Sequence, residues 1–222
     1  VILRFYQLGT NPPSLDWDEA SLGYNAYSIL KTGADEYGNR FPVAIRSFDD
    51  YKPPLYTYLT IPSVWIFGLT EFAVRLPSAF FGVLTVVVTY FLVKELFSYR
   101  LLSFWQLRAK RVQNPHHDSG VAPPVDGAPQ NDELLGLLTS FLLAISPWHL
   151  QFSRVAFEAN IGLFFFAAGT LFFLKGLRRG TWLVASLLTF ALALYAYHSL
   201  RLVLPVFLFG LFIYYRKTLW QG

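Results

Sequence analysis

RLPSAFFGVLTVVVTYFLVK, residues 75–94, is a run of eighteen uncharged residues closed at each end by a cation. A helix needs about 20 apolar residues to cross the hydrocarbon core of a bilayer, so this run predicts a membrane helix over 73–97. Further apolar runs predict four more membrane helices, at 134–153, 159–175, 180–200 and 202–216. The sequence therefore predicts an all-α fold, a multi-pass transmembrane helical bundle with a lipid bilayer as its solvent.

The composition supports the membrane class and excludes several others. Hydrophobic residues make up 54% of the chain and charged residues 14%, whereas a typical soluble domain carries about 25% charged residues. The net charge of +4 does not indicate a nucleic-acid partner, because the basic residues stand at the ends of apolar runs rather than in one patch. The chain has no cysteine, which excludes disulfides and thiolate metal sites within it.

The beginning of the chain is unusual for a membrane protein. It contains no methionine and starts inside an apolar run, Val1-Ile2-Leu3. We expect the 222 residues to be a partial transmembrane domain, the N-terminal part of a longer protein whose first membrane helix is mostly missing here. We do not expect these residues to be active alone.

One polar stretch, Asp16–Pro54, interrupts the apolar pattern and holds seven of the fourteen acidic residues. Asp16 and Glu19 have the spacing of a capping box, in which each residue bonds the backbone N–H of the other. Gly33 is a typical helix stop, so the sequence predicts a short amphipathic helix of about 15 residues between these signals. Residues 34–52 predict an irregular loop.

The next segment, 53–70, has two interpretations. It is uncharged, but it contains Pro53, Pro54 and Pro62 and is of marginal length for a span. It could cross the membrane or lie along the interface. The prolines and the length favour the interfacial alternative, in which amphipathic helices lie on the membrane surface.

The basic residues predict the orientation of the helices. They cluster at alternate ends of successive helices, within 100–111, 175–179 and 216–217. The positive-inside rule places all three clusters in the cytoplasm. Residues 150–160 and 197–201 then face the outside.

Two loops follow from this orientation. If 53–70 is interfacial, residues 9–72 form an extracytoplasmic loop; if it crosses, the acidic stretch is cytoplasmic. Residues 98–133 become a cytoplasmic loop. The second part of that loop, Gln113–Asp132, is rich in Pro, Gly, Asp and Asn, a composition that predicts disorder.

Asp18, Glu19 and Lys52 are the first candidate site residues. The two acids near a helix N-terminus could simply complement the helix dipole; alternatively Asp18 stays ionised there and serves as a general base. Lys52 precedes Pro53-Pro54, a pair typical of a helix start. A cation there is unfavourable without an anion, so Lys52 either binds a phosphate together with free backbone N–H groups or snorkels to the interface.

Glu158 and the pair His198 and Arg201 are the other candidates. A carboxylate at a membrane boundary costs free energy unless it is paired with a cation or hydrated, which makes Glu158 a functional candidate. In the alternative, structural interpretation its partner is Arg154, one helical turn earlier. His198 and Arg201 stand three residues apart at the predicted outer end of a helix. They could bind an anionic headgroup or anchor the helix end.

Other polar pairs have structural interpretations. Glu71 and Arg75, at i,i+4 spacing, predict an ion pair within one helix. His116-His117 are interpreted as solvated residues of the cytoplasmic loop. The sequence contains no glycine-rich phosphate loop and no nucleophile triad spacing.

Several short motifs, taken in order, resemble those of one enzyme group. They are Asp18-Glu19 with Tyr24 and Tyr27, Lys52-Pro53-Pro54-Leu55, Phe67-Gly68, Arg75-Leu76-Pro77-Ser78-Ala79 with Gly82, and Ser146-Pro147 through Ser153-Arg154 to Glu158. This pattern resembles the lipid-linked-sugar glycosyltransferases of the C-type fold, and most closely the protein O-mannosyltransferases and the aminoarabinose transferases that modify lipid A. The resemblance covers nearly all of 10–205 apart from the 98–133 break.

The resemblance implies a reaction and a place for it. The donor would be a polyprenyl-phosphate-linked sugar and the acceptor a hydroxyl on protein, lipid or glycan, with inversion at the anomeric carbon at the outer face of a cell membrane. Asp18, Glu19 and Glu158 would be the catalytic residues. Asp18 would deprotonate or orient the acceptor hydroxyl, and Glu158 would be a second acid where the family usually has Asp. Lys52, with His198 or Arg201, would hold the donor phosphate.

One departure from the family pattern concerns a metal. In the aminoarabinose group an acidic metal ligand precedes the Lys-Pro motif, whereas Tyr51 stands at that position here. The adjacent Asp50 is the candidate ligand for a divalent metal, and no other cofactor is predicted.

Two other classes of protein remain as alternatives. A transporter or a lipid-linked-glycan flippase would place its charges near the bilayer midplane, in broken helices of related halves, whereas here the charges cluster at one surface. In a non-catalytic membrane scaffold, the acids would only cap helices.

Overall fold

The computed structural model of the chain describes residues 1–112 and 130–219, and the side chains of 1–98 and 132–216. In chain order the elements of these residues are α1 (Ile2–Phe5), α2 (Trp17–Thr32), β1 (Ile45–Ser47), β2 (Asp50–Lys52), α3 (Leu55–Phe67), α4 (Glu71–Val112), α5 (Gln130–Ile145), α6 (Pro147–Arg154), α7 (Glu158–Gly176), α8 (Thr181–Ala196) and α9 (Leu200–Leu219). The all-α membrane fold predicted from the sequence is confirmed.

Two helices of the described residues are long and apolar enough to cross a membrane: the Glu71–Ser98 part of α4, and α7. A third span results if α5 and α6 are counted together as one helix bent by 58°. The segment predicted at 180–200 forms α8, which at 16 residues is shorter than these spans. The predicted membrane topology of α8 and α9 stays a prediction.

The bend between α5 and α6 divides the helix expected at 134–153. Proline disfavours the helical conformation of the residue before it and supplies no N–H to the helix. Ser146, which precedes Pro147, accordingly has φ −57° and ψ 122°. The apolar pattern alone therefore predicted one helix where the chain makes two.

The helix α4 extends beyond the end expected for it. It continues to Val112, so the first part of the loop expected at 98–133 is helical. The stretch for which disorder was expected, with His116 and His117, lies outside the described residues over 113–129.

At α2 the polar stretch Asp16–Pro54 folds as its capping residues predict. The Asp16 side chain accepts hydrogen bonds from the Asp18 and Glu19 amides, at 2.6 and 3.1 Å, and the Glu19 carboxylate accepts from the Asp16 amide at 3.2 Å. The capping box is thus complete, and the helix ends at Gly33, whose φ of 74° suits glycine. Residues 34–52, expected to be irregular, contain the antiparallel β1–β2 pair, with Ile45 opposite Lys52.

The length of α3 supports the interfacial alternative for 53–70. Its 13 residues extend about 20 Å at 1.5 Å per residue, less than the ~30 Å of a hydrocarbon core. The Tyr56 hydroxyl donates to the Val74 carbonyl at 2.9 Å and the Ser63 hydroxyl to the Ala73 carbonyl at 2.6 Å. These buried bonds fix α3 against the start of α4.

The helices α7 and α8 pack closely at Gly169, whose carbonyl accepts a hydrogen bond from the Ser186 hydroxyl at 2.8 Å. A Cβ at this glycine would lie 2.6 Å from a ring carbon of Phe190. We expect Gly169→Ala to lower the free energy of unfolding by about 1–3 kcal/mol, because the helices must separate. Denaturation in detergent micelles measures this change.

Gly210→Ala is the matched control, since a Cβ at this α9 position would have no neighbour within 4 Å. Alanine in place of a helical glycine should stabilise the protein by up to about 1 kcal/mol. Equal losses of stability in the two variants would contradict the close packing of α7 on α8.

Candidate active site

A buried ion pair joins α2 to the start of α4. Arg75 Nε and Nη2 lie 2.9 Å from Glu19 Oε1 and Oε2, and the two side chains are 0% and 3% exposed. The bidentate geometry satisfies both charges away from water. Arg75 therefore pairs with Glu19, and the prediction of an ion pair between Arg75 and Glu71 is wrong.

The same two side chains fix two other parts of the chain. Glu19 Oε1 also accepts a hydrogen bond at 2.7 Å from the amide of Ala156, in the link between α6 and α7. The Arg75 guanidinium donates to the carbonyls of Leu8, Pro12 and Ser14. The N-terminus of α2 is consequently held beside the residue that lies two positions before Glu158.

Asp18 and Lys52 form an ion pair between α2 and the end of β2. The Lys52 side chain is 9% exposed, whereas the Asp18 side chain is 46% exposed. His198, which follows α8, lies with its Nε2 at 2.6 Å from the carbonyl oxygen of Tyr51. Because a carbonyl can only accept, Nε2 carries the proton in this contact.

Glu158 begins α7 in a buried position, 8% exposed, and its Oε1 atom has no hydrogen-bond partner among the described residues. Its charge interacts with Lys52 and His198, which attract it, and with Asp18, which repels it. Arg154, the alternative partner, instead donates to the backbone carbonyls of the N-terminal segment, Leu3 among them. The described residues therefore offer Glu158 nearby cations but no direct ion pair.

Tyr56 of α3 provides a second indication that these carboxylates lie together. Complete burial raises the pKa of the Tyr56 phenol well above its usual range, and the charges of Glu19 and Glu158 raise it further. The phenol thus stays neutral and donates its hydrogen bond to the Val74 carbonyl. Asp18, Lys52, Glu158 and His198 are called the Asp18–Glu158 cluster below.

Arg201 and Asp50, the remaining predicted site residues, are exposed and make fewer side-chain contacts than the cluster residues do. Arg201 is exposed at the start of α9, and no hydrogen bond or ion pair of its side chain occurs within the described residues. Asp50 is exposed in β2, where its carboxylate accepts from the Tyr51 amide at 2.8 Å. Across 1–112 and 130–219, no three His, Asp or Glu residues come together as a metal site. The described donors therefore do not fit a divalent metal at Asp50.

The other described ion pairs that involve α4 lie at its opposite end. Lys94 pairs with Glu133 at 2.6 Å, and Glu95 pairs with Arg178 at 3.2 Å. Arg75 and Lys94 are nineteen residues apart in sequence, about 29 Å along a helix, close to the thickness of a hydrocarbon core. We call the two ends of the molecule the Arg75 end and the Lys94 end; the Asp18–Glu158 cluster occupies the first.

Two buried contacts were missed by the sequence analysis. Arg4, 2% exposed, lies with Nη2 at 2.6 Å from Nδ1 of His149. The Asn160 amide donates to the carbonyl of Ser78 at 2.8 Å. The available signal was a charged or amide residue inside an apolar run. Such a residue indicates that a partner is needed, but it does not predict a partner more than 80 residues away in the sequence.

Comparison with known protein families gives a match over part of the chain. Residues 51–104 match the profile of the family described as dolichyl-phosphate-mannose-protein mannosyltransferase. No curated protein and no solved structure matches the chain. The matched segment contains Lys52, α3 and Arg75 but not Asp18, Glu158 or His198. Over that segment the chain is similar to the mannosyltransferase family, and the match supports a membrane glycosyltransferase of the mannosyltransferase type.

Proposed function

We propose that the protein transfers a sugar from a polyprenyl-phosphate donor to a hydroxyl on protein, lipid or glycan, with inversion at the anomeric carbon. The observation that supports this most directly is the Asp18–Glu158 cluster. It joins a half-exposed carboxylate, a buried lysine, a buried carboxylate with a free oxygen and a histidine at one end of the bundle. Sugar transfer from a lipid phosphate requires a base and a phosphate-binding group at the membrane surface.

In this proposal Asp18 is the general base. Its carboxylate accepts the proton of the acceptor hydroxyl while the hydroxyl oxygen attacks the anomeric carbon from the face opposite the phosphate. The bond from the anomeric carbon to the phosphate oxygen breaks, and its electron pair leaves with the polyprenyl phosphate. The protonated Asp18 then releases its proton to water.

Lys52 and His198 stabilise the phosphate as it gains charge. Preorganised cations and N–H donors that face a leaving group lower the barrier because they cost no reorganisation during the reaction. Exposed Arg201, three residues after His198, extends this positive region toward the donor. Glu158 is the second acid of the cluster, and its buried carboxylate acts on Lys52 and His198 through its charge.

Glu19 has a positioning role in this proposal, although the sequence suggested a catalytic one. Both of its oxygens are engaged, by Arg75 and by the Ala156 amide. A carboxylate held in this way orients Asp18 and the start of α7 but is not free to exchange a proton.

The proposed location is the extracytoplasmic face of a cell membrane. The basic segment 175–179, at the Lys94 end, belongs in the cytoplasm by the positive-inside rule, which puts the Arg75 end outside. The short α3 supports the same arrangement, since an interfacial helix keeps the 9–72 loop on one side.

The test is a transfer assay on the purified full-length protein with short-chain polyprenyl-phosphate mannose and a hydroxyl acceptor peptide. We expect release of polyprenyl phosphate to depend on Lys52. Lys52→Gln should lower kcat/KM for the donor by about 10–100-fold, because one charge-assisted contact to the phosphate is lost.

Arg46→Gln is the matched control, since Arg46 is a partly exposed cation of the same hairpin, paired with Asp49. It should transfer at the wild-type rate. Equal kcat/KM in the Lys52 variant and the wild type would contradict the phosphate role of Lys52. Absence of any transfer by the wild-type protein would contradict the proposed donor class.

A further inference from the structure

A groove of about 340 Å³ lies between α4, α7 and α8, away from the Asp18–Glu158 cluster. Aromatic side chains dominate its lining, with Phe91 from α4 and Phe164, Phe165 and Phe172 from α7. Its volume is within the range of about 300–1,000 Å³ that ligand sites have. The apolar lining suits a hydrocarbon chain and not a polar substrate.

Lys175 is the one charged residue among the described residues that line this groove. Its ammonium lies 5.9 Å from the ring centre of Phe91 and 5.4 Å from that of Trp182. Trp182 in turn stacks on Phe172 with ring centres 5.3 Å apart. The aromatic faces hold the cation at the groove by cation–π contacts.

The Lys175 ammonium at the groove lies at the Lys94 end of the molecule. Lys175 follows Glu158 by seventeen residues on the same helix, about 26 Å along its axis. The pair between Glu95 and Arg178 fixes the α7–α8 turn at that end. Arg179, in the same turn, is exposed and adds a second cation.

We propose that this groove binds an anionic phospholipid from the leaflet at the Lys94 end. One acyl chain lies along the phenylalanine side chains, and the lipid phosphate binds Lys175 and Arg179. Basic pockets between membrane helices at the cytoplasmic side are suited to acidic headgroups. A zwitterionic lipid would gain the same apolar contacts, but its own ammonium group compensates its phosphate, so it would supply the two cations with no net counter-charge.

The site is independent of the proposed sugar transfer. The lipid headgroup and the Asp18–Glu158 cluster lie at opposite ends of α7, so the lipid contacts none of the proposed catalytic groups. Its role is to hold α4, α7 and α8 together at the end where the α7–α8 turn is basic.

Native mass spectrometry of the detergent-purified protein tests the proposal, with phosphatidylglycerol and phosphatidylcholine as probes. We expect the wild type to retain phosphatidylglycerol in preference to phosphatidylcholine. Lys175→Gln should weaken phosphatidylglycerol binding about fivefold, the factor expected for one basic side chain near an anionic membrane surface. Thr189→Phe, which fills the groove from its α8 side, should abolish the preference.

Lys31→Gln is the matched control, because Lys31 also lies over an aromatic ring, that of Tyr27 at 5.7 Å, but at α2. It should bind phosphatidylglycerol as the wild type does. Equal retention of the two lipids, or full retention of phosphatidylglycerol in both groove variants, would overturn the proposal.

A second measurement leaves every residue that lines the groove in place. Phosphatidylglycerol brominated in its acyl chains should quench the fluorescence of Trp182, and the quenched component should disappear in Trp182→Phe. Identical quenching in that variant would mean that the lipid does not enter the groove, and the proposal would be wrong.

Discussion

Asp18→Asn is expected to lower kcat for sugar transfer by about 10²–10⁴-fold, the range that general acid–base groups contribute. Asparagine has the shape of the acid but cannot accept the acceptor proton. The KM for the polyprenyl-phosphate donor should change little, since Lys52 remains. Initial rates over a range of donor concentrations separate these two quantities.

Asp49→Asn is the matched control for this variant, because Asp49 is a fully exposed acid paired with Arg46 at the hairpin turn. Its kcat should equal that of the wild type. Since Asp18→Asn also removes the counter-charge of the buried Lys52, thermal unfolding of each variant shows whether the fold is retained. A folded Asp18→Asn protein with the wild-type kcat would contradict the base assignment.

Glu19→Gln is expected to lower the free energy of unfolding by about 3–5 kcal/mol, the cost of leaving a buried partner charge uncompensated. The Arg75 guanidinium is completely buried and would retain only carbonyl and amide oxygens as acceptors. The Ala156 amide would also lose a charged acceptor. Denaturation in detergent measures the change, and transfer should fall with it because Asp18 loses its support.

Glu133→Gln makes the same chemical change at an exposed ion pair, that between Lys94 and Glu133. Solvent screens such pairs, which contribute little to stability, so the unfolding midpoint should not move. If Glu19→Gln unfolds at the same midpoint as Glu133→Gln, the buried pair does not support the α2 N-terminus.

Local signals in the sequence predicted the local structure. The spacing of Asp16 and Glu19 and the position of Gly33 predicted both ends of α2, because a cap depends only on residues within one turn. The apolar run at 73–97 predicted the core of α4. The same logic failed at Ser146, where the effect of Pro147 on its neighbour outweighed a continuous apolar pattern.

Partners of buried charges were beyond the reach of the sequence pattern. Arg75 had an acid one turn away in Glu71, yet it pairs with Glu19, 56 residues earlier. Desolvation explains this choice: a fully buried guanidinium requires a bidentate buried carboxylate, whereas Glu71 is exposed. The sequence analysis identified Asp18, Lys52, Glu158 and His198 individually. Their proximity depends on how the helices and the β1–β2 hairpin pack together, which the sequence pattern does not predict.

The hydrogen bond between Glu19 and the Ala156 amide has a consequence for biogenesis. The two residues are 137 positions apart, so the ribosome makes all of α3, α4, α5 and α6 before the carboxylate meets its last donor. Contacts of such long separation form late. The segment that contains α2 must therefore remain without this hydrogen bond, with its acids hydrated, until the beginning of α7 has been made.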